Sequence, residues 1–116
     1  MNKHKKPYLR FLGLLEALDA GLLPDDKLDM IEEALLNQIM LSADLGKTIL
    51  VGDLVSLVRL GSHAMIHGRL KNLEQKGYIQ LTLDKDDQRK KHVSPTKLAT
   101  KRFDAISKCL QKASLA

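Results

Sequence analysis

The chain has 116 residues, of which 44% are hydrophobic and 28% are charged, and it carries a formal net charge of +5. No apolar run approaches the ~18–20 residues that a membrane span needs, and no small-residue cleavage site follows the basic N-terminus. The single cysteine, Cys109, excludes an internal disulfide and a paired-cysteine metal or redox site. We therefore expect one domain in a cytoplasmic protein that has no membrane partner.

The charge is unevenly distributed along the chain. Residues 11–58 carry nine acidic and two basic side chains, whereas residues 59–102 carry eleven basic and four acidic ones. A basic half of this kind is typical of proteins with an anionic partner. Nucleic acid is the commonest such partner, although an acidic protein or a membrane surface would match the same charge.

Two helices are predicted in the first half of the chain. Residues 8–20 are apolar over a wider arc than one core contact requires, which favours a helix that packs on two surfaces. A second helix should begin near Asp25 or Asp26, either of which can cap it. Its expected core stripe consists of Leu28, Ile31, Leu35 and Ile39. The "ADLGKT" that follows ends this helix.

A helix-turn-helix is predicted next. "ILVGDLVSLVRLG" indicates a short extended segment and then a short helix from about Gly52, which Gly61 ends. Ser62 is a suitable N-cap for the following helix, and Gly77 suits its C-terminus. The inward face of that helix consists of Ile66, Leu70 and Leu73. Two helices joined by a tight turn that contains glycine are a helix-turn-helix candidate.

The periodicity then changes from helical to alternating. "YIQLTL" (78–83) predicts a β-strand, and "HVS" (92–94) can return antiparallel to it, with a highly charged loop between them. Thr96 can cap a final helix. Its apolar residues recur at spacings of three and four, at Ala99, Phe103, Ile106, Leu110 and Ala113. Such a seam suits helix pairing within or between chains.

The segment "LVSLVRLGSHAMIHGRLKNLEQKGYIQLTLDKDDQRKKHVSPTKLA" resembles the MarR family of bacterial transcriptional regulators. The resemblance rests on the Ser-led helix, the "LEQKGYI" that ends it, the D-x-R of "DQR" at Asp87 to Arg89, and the "V-x-x-T" of Val93 and Thr96. It covers roughly residues 48–100. It implies a mainly α fold with a small β-hairpin wing (α+β), that is, a winged helix-turn-helix with N- and C-terminal dimerisation helices.

The expected organisation follows from this resemblance. We expect one winged helix-turn-helix domain over residues 1–116, with dimerisation helices at 8–20 and 97–113, a DNA-binding core at 48–95 and a wing at 78–94. The terminal helices expose more apolar surface than a monomer of this length can cover, which predicts a two-fold homodimer. The expected dimer contacts are Phe11, Leu15, Leu18, Phe103, Ile106 and Leu110.

The helix at 62–76 is the expected recognition helix, docked in the major groove of double-stranded DNA. Its outward residues are Ser62, His63, Ala64, His67, Gly68 and Lys71. The polar groups among them can hydrogen-bond to bases or phosphates, and Ala64 can touch a thymine methyl. Gly68 costs a helix ~1 kcal/mol relative to Ala, which a close backbone approach would explain. An ordinary solvated helix face is the simpler alternative.

The wing tip at 84–91 is expected at the minor groove. The family's D-x-R pattern implies that Arg89 enters the groove, whereas Lys85, Lys90 and Lys91 contact phosphates. Asp87 should orient a basic side chain rather than meet the DNA. A solubilising hairpin tip is the alternative.

Other chemistries have weak support. His63 and His67 have the spacing of metal ligands, but no third ligand is evident, so we expect no metal. "LGKT" lacks the first glycine of a P-loop, and no activated nucleophile is evident, so we expect no cofactor and no catalytic residue.

The sequence therefore predicts a dimeric, sequence-specific DNA-binding transcriptional regulator rather than an enzyme. Two alternatives stay open: a winged-helix protein of plasmid or phage replication or partition, and a winged helix used for protein contacts alone. Repression versus activation and the existence of a small-molecule effector stay open as well.

Overall fold

The computed structural model describes residues 3–115, and the chain divides into two compact units. The unit that we call the head is Leu28–Ala99, and the terminal unit consists of the chain up to Lys27 and from Thr100 onward. No helix of the described residues is long and apolar enough to cross a membrane. The domain boundaries expected from the sequence stay a prediction.

The elements are five α-helices and three short β-strands within residues 3–115. In chain order they are α1 (Pro7–Ala20), α2 (Met30–Asp44), β1 (Ile49–Leu50), α3 (Val51–Val55), α4 (His63–Gln75), β2 (Ile79–Leu83), β3 (Lys91–Pro95) and α5 (Lys97–Ser114). Two single turns of 3-10 helix lie at Pro24–Asp26 and Val58–Leu60. This mainly helical fold with a small sheet confirms the fold class predicted from the sequence.

The sheet has one strand more than the predicted hairpin. The strand order is β1-β3-β2, and both pairings are antiparallel. The extended segment before α3 is the extra strand, and its Ile49 pairs with Val93 of β3. Pro95 pairs only with Ile79 of β2, beyond the reach of β1, so its missing N–H leaves the β1 pairing intact.

The predicted start of α2 near Asp25 or Asp26 is wrong. Those residues form a 3-10 turn, and α2 begins four residues later, at Met30. The reason is a capping box, in which Asp29 Oδ1 accepts from the Glu32 N–H at 2.8 Å and Glu32 Oε1 accepts from the Asp29 N–H at 2.9 Å.

The core of the head lies between α2, α3, α4 and the sheet. Of the stripe predicted for α2, Leu35 and Ile39 are buried, whereas Leu28 and Ile31 are half-buried. Leu36 and Glu32 are also buried, which the sequence analysis did not predict. The other buried hydrophobic residues of the head are Leu54, Val55, Ile66, Leu70, Leu73, Tyr78, Ile79, Val93 and Ala99.

The helix-turn-helix differs from the prediction only in its first helix, α3, which is shorter than expected. α3 ends at Val55 rather than continuing to Gly61, and a 3-10 turn completes the connection. Gly61 has φ of 144°, and a Cβ there would lie 2.7 Å from Met65 Sδ, so a side chain at this position is unfavourable. α4 begins as predicted, with the Met65 N–H donating to Ser62 Oγ at 3.2 Å.

The terminal unit has little buried surface. α1 contains no buried residue, and the predicted dimer contacts are half-buried except for Leu110, which is 58% exposed. Two polar contacts link α1 to α5. Arg10 Nε donates to the carbonyl of Ala113 at 2.9 Å, and Arg102 Nη1 donates to Asp19 Oδ1 at 2.7 Å.

Candidate nucleic-acid interface

α4 presents two distinct faces. Its predicted inward residues, Ile66, Leu70 and Leu73, are all buried. Its predicted outward residues are all exposed: Ser62, His63, Ala64, His67, Gly68 and Lys71. A Cβ on Gly68 would have no neighbour within 4 Å, so nothing in the described chain requires glycine there. The helix therefore offers a clear surface to a partner.

Two ion pairs hold α4 against the start of α2. Lys76 Nζ lies 3.0 Å from Glu32 Oε1, whose residue is 2% exposed. Arg69 Nε lies 2.6 Å from Asp29 Oδ2, although its N–H does not point well enough at the carboxylate for a hydrogen bond. The two acids that form the capping box thus also bind basic side chains on or just after α4, and the sequence analysis predicted neither contact.

The wing loop between β2 and β3 is ordered by one carboxylate. Asp84 Oδ2 accepts from the backbone N–H groups of Asp86 and Asp87, at 3.1 and 3.0 Å. The loop is closed by the Asp84 N–H, which donates to the carbonyl of Lys90 at 3.0 Å. These contacts of Asp84 set the position of the Asp87 backbone.

Asp87 in turn orients Arg89. Its Oδ1 accepts from Arg89 Nε at 3.0 Å and its Oδ2 from Arg89 Nη2 at 3.2 Å, a bidentate contact. The Arg89 guanidinium and then its backbone N–H lower the pKa of Asp87. Although it is anchored in this way, the Arg89 side chain is 91% exposed. The geometry matches the orienting role that the sequence analysis expected for Asp87.

A cleft of about 560 Å³ lies between α3, α4 and the wing. Its floor is apolar and includes Val55, Leu70 and Leu81. Half of the predicted DNA-binding residues line it: His67 and Lys71 from α4, and Arg89, Lys90 and Lys91 from the wing. Residues from two separate parts of the sequence thus form one basic surface.

The other predicted residues lie outside this cleft. Ser62, His63, Ala64 and Gly68 are exposed elsewhere on α4. Lys85 lines a second cavity on the wing, together with Asp84, Asp86 and His92. Because two carboxylates share that cavity, its charge is less favourable to phosphate than that of the cleft. Within residues 3–115, no three His, Cys, Asp or Glu side chains come together where they could hold a metal ion.

The sequence analysis did not identify His92 as part of the site. Its Nε2 lies 2.7 Å from Asp84 Oδ1, and its Nδ1 lies 2.7 Å from Thr48 Oγ1. This hydrogen bond from His92, followed by those from the backbone N–H groups in the loop, lowers the pKa of Asp84. The signal that could have revealed the cluster is the strand register, which was not available from the sequence.

No protein-family model matches the chain, and no curated protein matches it. Solved structures do. The MepR–DNA complex of S. aureus is 17% identical with a TM-score of 0.68, over 93% of this chain and 78% of that chain. The transcriptional regulator Tm0710 from Thermotoga maritima is 19% identical with a TM-score of 0.67, over 90% and 67%. The heme sensor PefR from Streptococcus agalactiae, in complex with heme, is 19% identical with a TM-score of 0.60, over 94% and 76%.

Fold and site together define a winged helix-turn-helix protein. Its fold is the one that MarR-family transcriptional regulators share, as these similar structures show. The resemblance noted in the sequence is thus confirmed at the level of the fold.

Proposed function

We propose that the protein is a dimeric, sequence-specific DNA-binding transcriptional regulator. In this proposal α4, with Ser62 as its cap, enters the major groove, and the wing tip at 84–91 lies at the minor groove. The similar MepR structure was solved with DNA, which supports the same partner for this fold.

The observation that carries the proposal is the basic cleft between α4 and the wing. In a duplex, a phosphate backbone separates the major groove from the minor groove. A protein that places a helix in one groove and a loop in the other must therefore accommodate that backbone between them. Lys71, Lys90 and Lys91 line the cleft at this position. Arg89, preoriented by Asp87, extends from its wing side.

The dimer is supported by the lack of buried residues in α1. Exposed apolar side chains on the terminal helices include Tyr8 at 67%, Leu9 at 42% and Leu110 at 58%. Surfaces of this kind are usually covered in soluble regulators. A two-fold dimer would present two copies of α4 to half-sites about one helical turn, ~10 bp, apart on a pseudo-palindromic operator.

The test is DNA binding by fluorescence anisotropy, with fragments selected from genomic DNA by the purified protein. Arg89→Ala should weaken specific binding by roughly 1–3 kcal/mol and reduce the preference for A·T pairs beside each half-site. Lys91→Ala should weaken all sequences alike and reduce the salt slope by about one. Lys108→Ala on α5, which removes an exposed cation outside the proposed site, should change neither quantity.

Salt-insensitive binding, or unchanged affinity in both Arg89→Ala and Lys91→Ala, would overturn the proposal and favour a winged helix used for protein contacts. The location of the selected fragments separates the remaining alternative. Sites that overlap a promoter support a regulator, whereas repeated sites at a replication origin support a replication or partition protein.

A further inference from the structure

We infer that Asp84 and His92 are positioning residues for Arg89: they fix the wing loop so that Arg89 is presented to DNA in one orientation. This inference deepens the proposed function and rests on it for the DNA-binding part. The structural part, that His92 controls the orientation of Arg89, can be tested without DNA.

His92 connects the wing loop to the middle of the sheet. It pairs with Leu50 of β1 on one side and with Thr82 of β2 on the other. Because side chains alternate along a strand, the residues two positions from these partners lie on the same face as His92. They are Thr48 and Asp84, and the imidazole lies 2.7 Å from each. The central strand therefore holds both neighbouring segments through one side chain.

The two carboxylate oxygens of Asp84 have different hydrogen-bond partners. Oδ1 faces His92, whereas Oδ2 accepts from the N–H groups of Asp86 and Asp87. The bidentate contact of Asp87 with Arg89 follows in the same loop. An unbroken series of hydrogen bonds thus runs from Thr48 through His92, Asp84 and Asp87 to the guanidinium.

Neither Asp84 nor His92 lines the cleft in which DNA is proposed to lie. Both line the second cavity of the wing, where the other charged neighbours are Lys85 and Asp86. Arg89 lines the first cleft instead. An effect of His92 on DNA binding should therefore act through the position of Arg89 rather than through a contact with the duplex.

The bridge is compatible with both charge states of the imidazole. When His92 is neutral, Nε2–H can donate to Asp84 while Nδ1 accepts from the Thr48 hydroxyl. When His92 is charged, both nitrogens donate, and the hydroxyl rotates to accept. The contact can therefore be made by either form of the ring.

The experiment compares wild type with His92→Leu and with Asp84→Ala. His92→Leu removes the imidazole and Asp84→Ala removes both carboxylate oxygens, so either variant should interrupt the series. The control is Ser94→Ala, on the same strand and face, two residues from His92.

The first readout is the Nε–H resonance of Arg89 in the DNA-free protein, observed by ¹H–¹⁵N NMR with the rate of its exchange with solvent. We expect a slowly exchanging signal in wild type and Ser94→Ala, and a fast-exchanging one in both test variants. An unchanged Arg89 signal in both would overturn the inference. If wild type shows the protected signal but binds no DNA, the orienting role holds and the proposed function fails.

The second readout is a double-mutant cycle in DNA affinity. His92→Leu should weaken binding to A·T-flanked sites by roughly tenfold, and should cause no further loss when Arg89→Ala is already present. If the fold-losses in affinity of His92→Leu and Arg89→Ala multiply in the double variant, His92 does not act through Arg89. Circular dichroism of each variant identifies any general loss of fold. If His92→Leu loses its fold, Asp84→Ala alone decides.

Discussion

The head and the terminal unit are similarly rich in apolar residues but differ sharply in how much they bury. Of the thirteen buried hydrophobic residues of the described chain, twelve belong to the head and only Ala113 belongs to the terminal unit. The head packs helices against a sheet, whereas the described part of the terminal unit consists of α1, one 3-10 turn and most of α5. Apolar composition therefore does not tell whether a segment forms its own core. The exposed apolar surface of the terminal helices is the surface that the proposed dimer would cover.

The two units also differ in how they use charge. The terminal unit has nine basic and five acidic residues, whereas the head has ten basic and nine acidic ones. The basic cleft of the head thus arises from the arrangement of its charges and not from a surplus. Five acids of the head accept hydrogen bonds from backbone N–H groups and so stabilise the local backbone. They are Asp29, Glu32, Asp53, Asp84 and Asp87. Of the acids of the head, Glu74 alone lines the cleft, beside the four basic side chains of Lys71, Arg89, Lys90 and Lys91.

The largest expected effect tests the core of the head. Leu73 on α4 is fully buried, so Leu73→Ala should lower the free energy of unfolding by about 2–5 kcal/mol through lost contacts and a cavity. Urea denaturation followed by circular dichroism measures this. The matched substitution Leu23→Ala in the terminal unit removes a leucine that is 70% exposed and is not among the predicted dimer contacts, so it should cost much less. Similar losses in both would remove the distinction between the units.

The second effect tests the terminal unit as an interface. Leu15→Asp or Phe103→Asp should raise the dimer dissociation constant by about a hundredfold or more, because a carboxylate would be buried against apolar surface. Sedimentation equilibrium at micromolar concentration measures the change. Leu41→Asp, at a leucine of the head that is 61% exposed, is the control and should leave the dimer intact. A wild-type monomer under these conditions would contradict the proposed assembly.

The sequence predicted most elements because they are specified locally. The Ser62 cap, the three inward residues of α4 and the alternation in β2 each depend on neighbours a few residues apart. The predicted caps, Asp25 and Asp26, have no glutamate three residues later, whereas Asp29 has Glu32 at that position to complete a capping box. That glutamate is visible in the sequence, so the error was avoidable.

Long-range contacts could not be predicted in the same way. The pairing of β1 with β3, the Lys76–Glu32 ion pair and the His92 cluster join residues that are separated by up to 44 positions. None leaves a periodic signal, because each depends on the register and packing of separate elements. The site residues were predicted from the face of one helix, from charge and from the D-x-R pattern. That pattern includes Asp87, but no local pattern points to the contacts of Asp84 with His92.

A smaller effect tests the exposed face of α4: one substitution should raise stability and lower DNA affinity. Gly68→Ala should raise the stability of the free protein by up to ~1 kcal/mol, because alanine favours a helix and the added methyl meets open space. If DNA approaches the helix closely at this point, the same methyl should weaken binding. Thermal unfolding and anisotropy measure the two effects. A gain in stability with unchanged DNA affinity would place Gly68 outside the proposed DNA interface.

The smallest effect is confined to the wing and concerns pH. Hydrogen bonds from His92 and Arg89 hold the pKa values of Asp84 and Asp87 below their ordinary value of 3.8. Since each folded-state pKa is lower than its unfolded-state value, the stabilisation is fully present above about pH 4 and is lost as the pH falls through the folded-state pKa. The protected Nε–H of Arg89 should therefore persist from about pH 7 to pH 4 and disappear only at lower pH. Asp87→Asn should remove the bidentate contact at every pH. A transition near pH 6.5, where an ordinary histidine titrates, would show instead that the charge on His92 controls the loop.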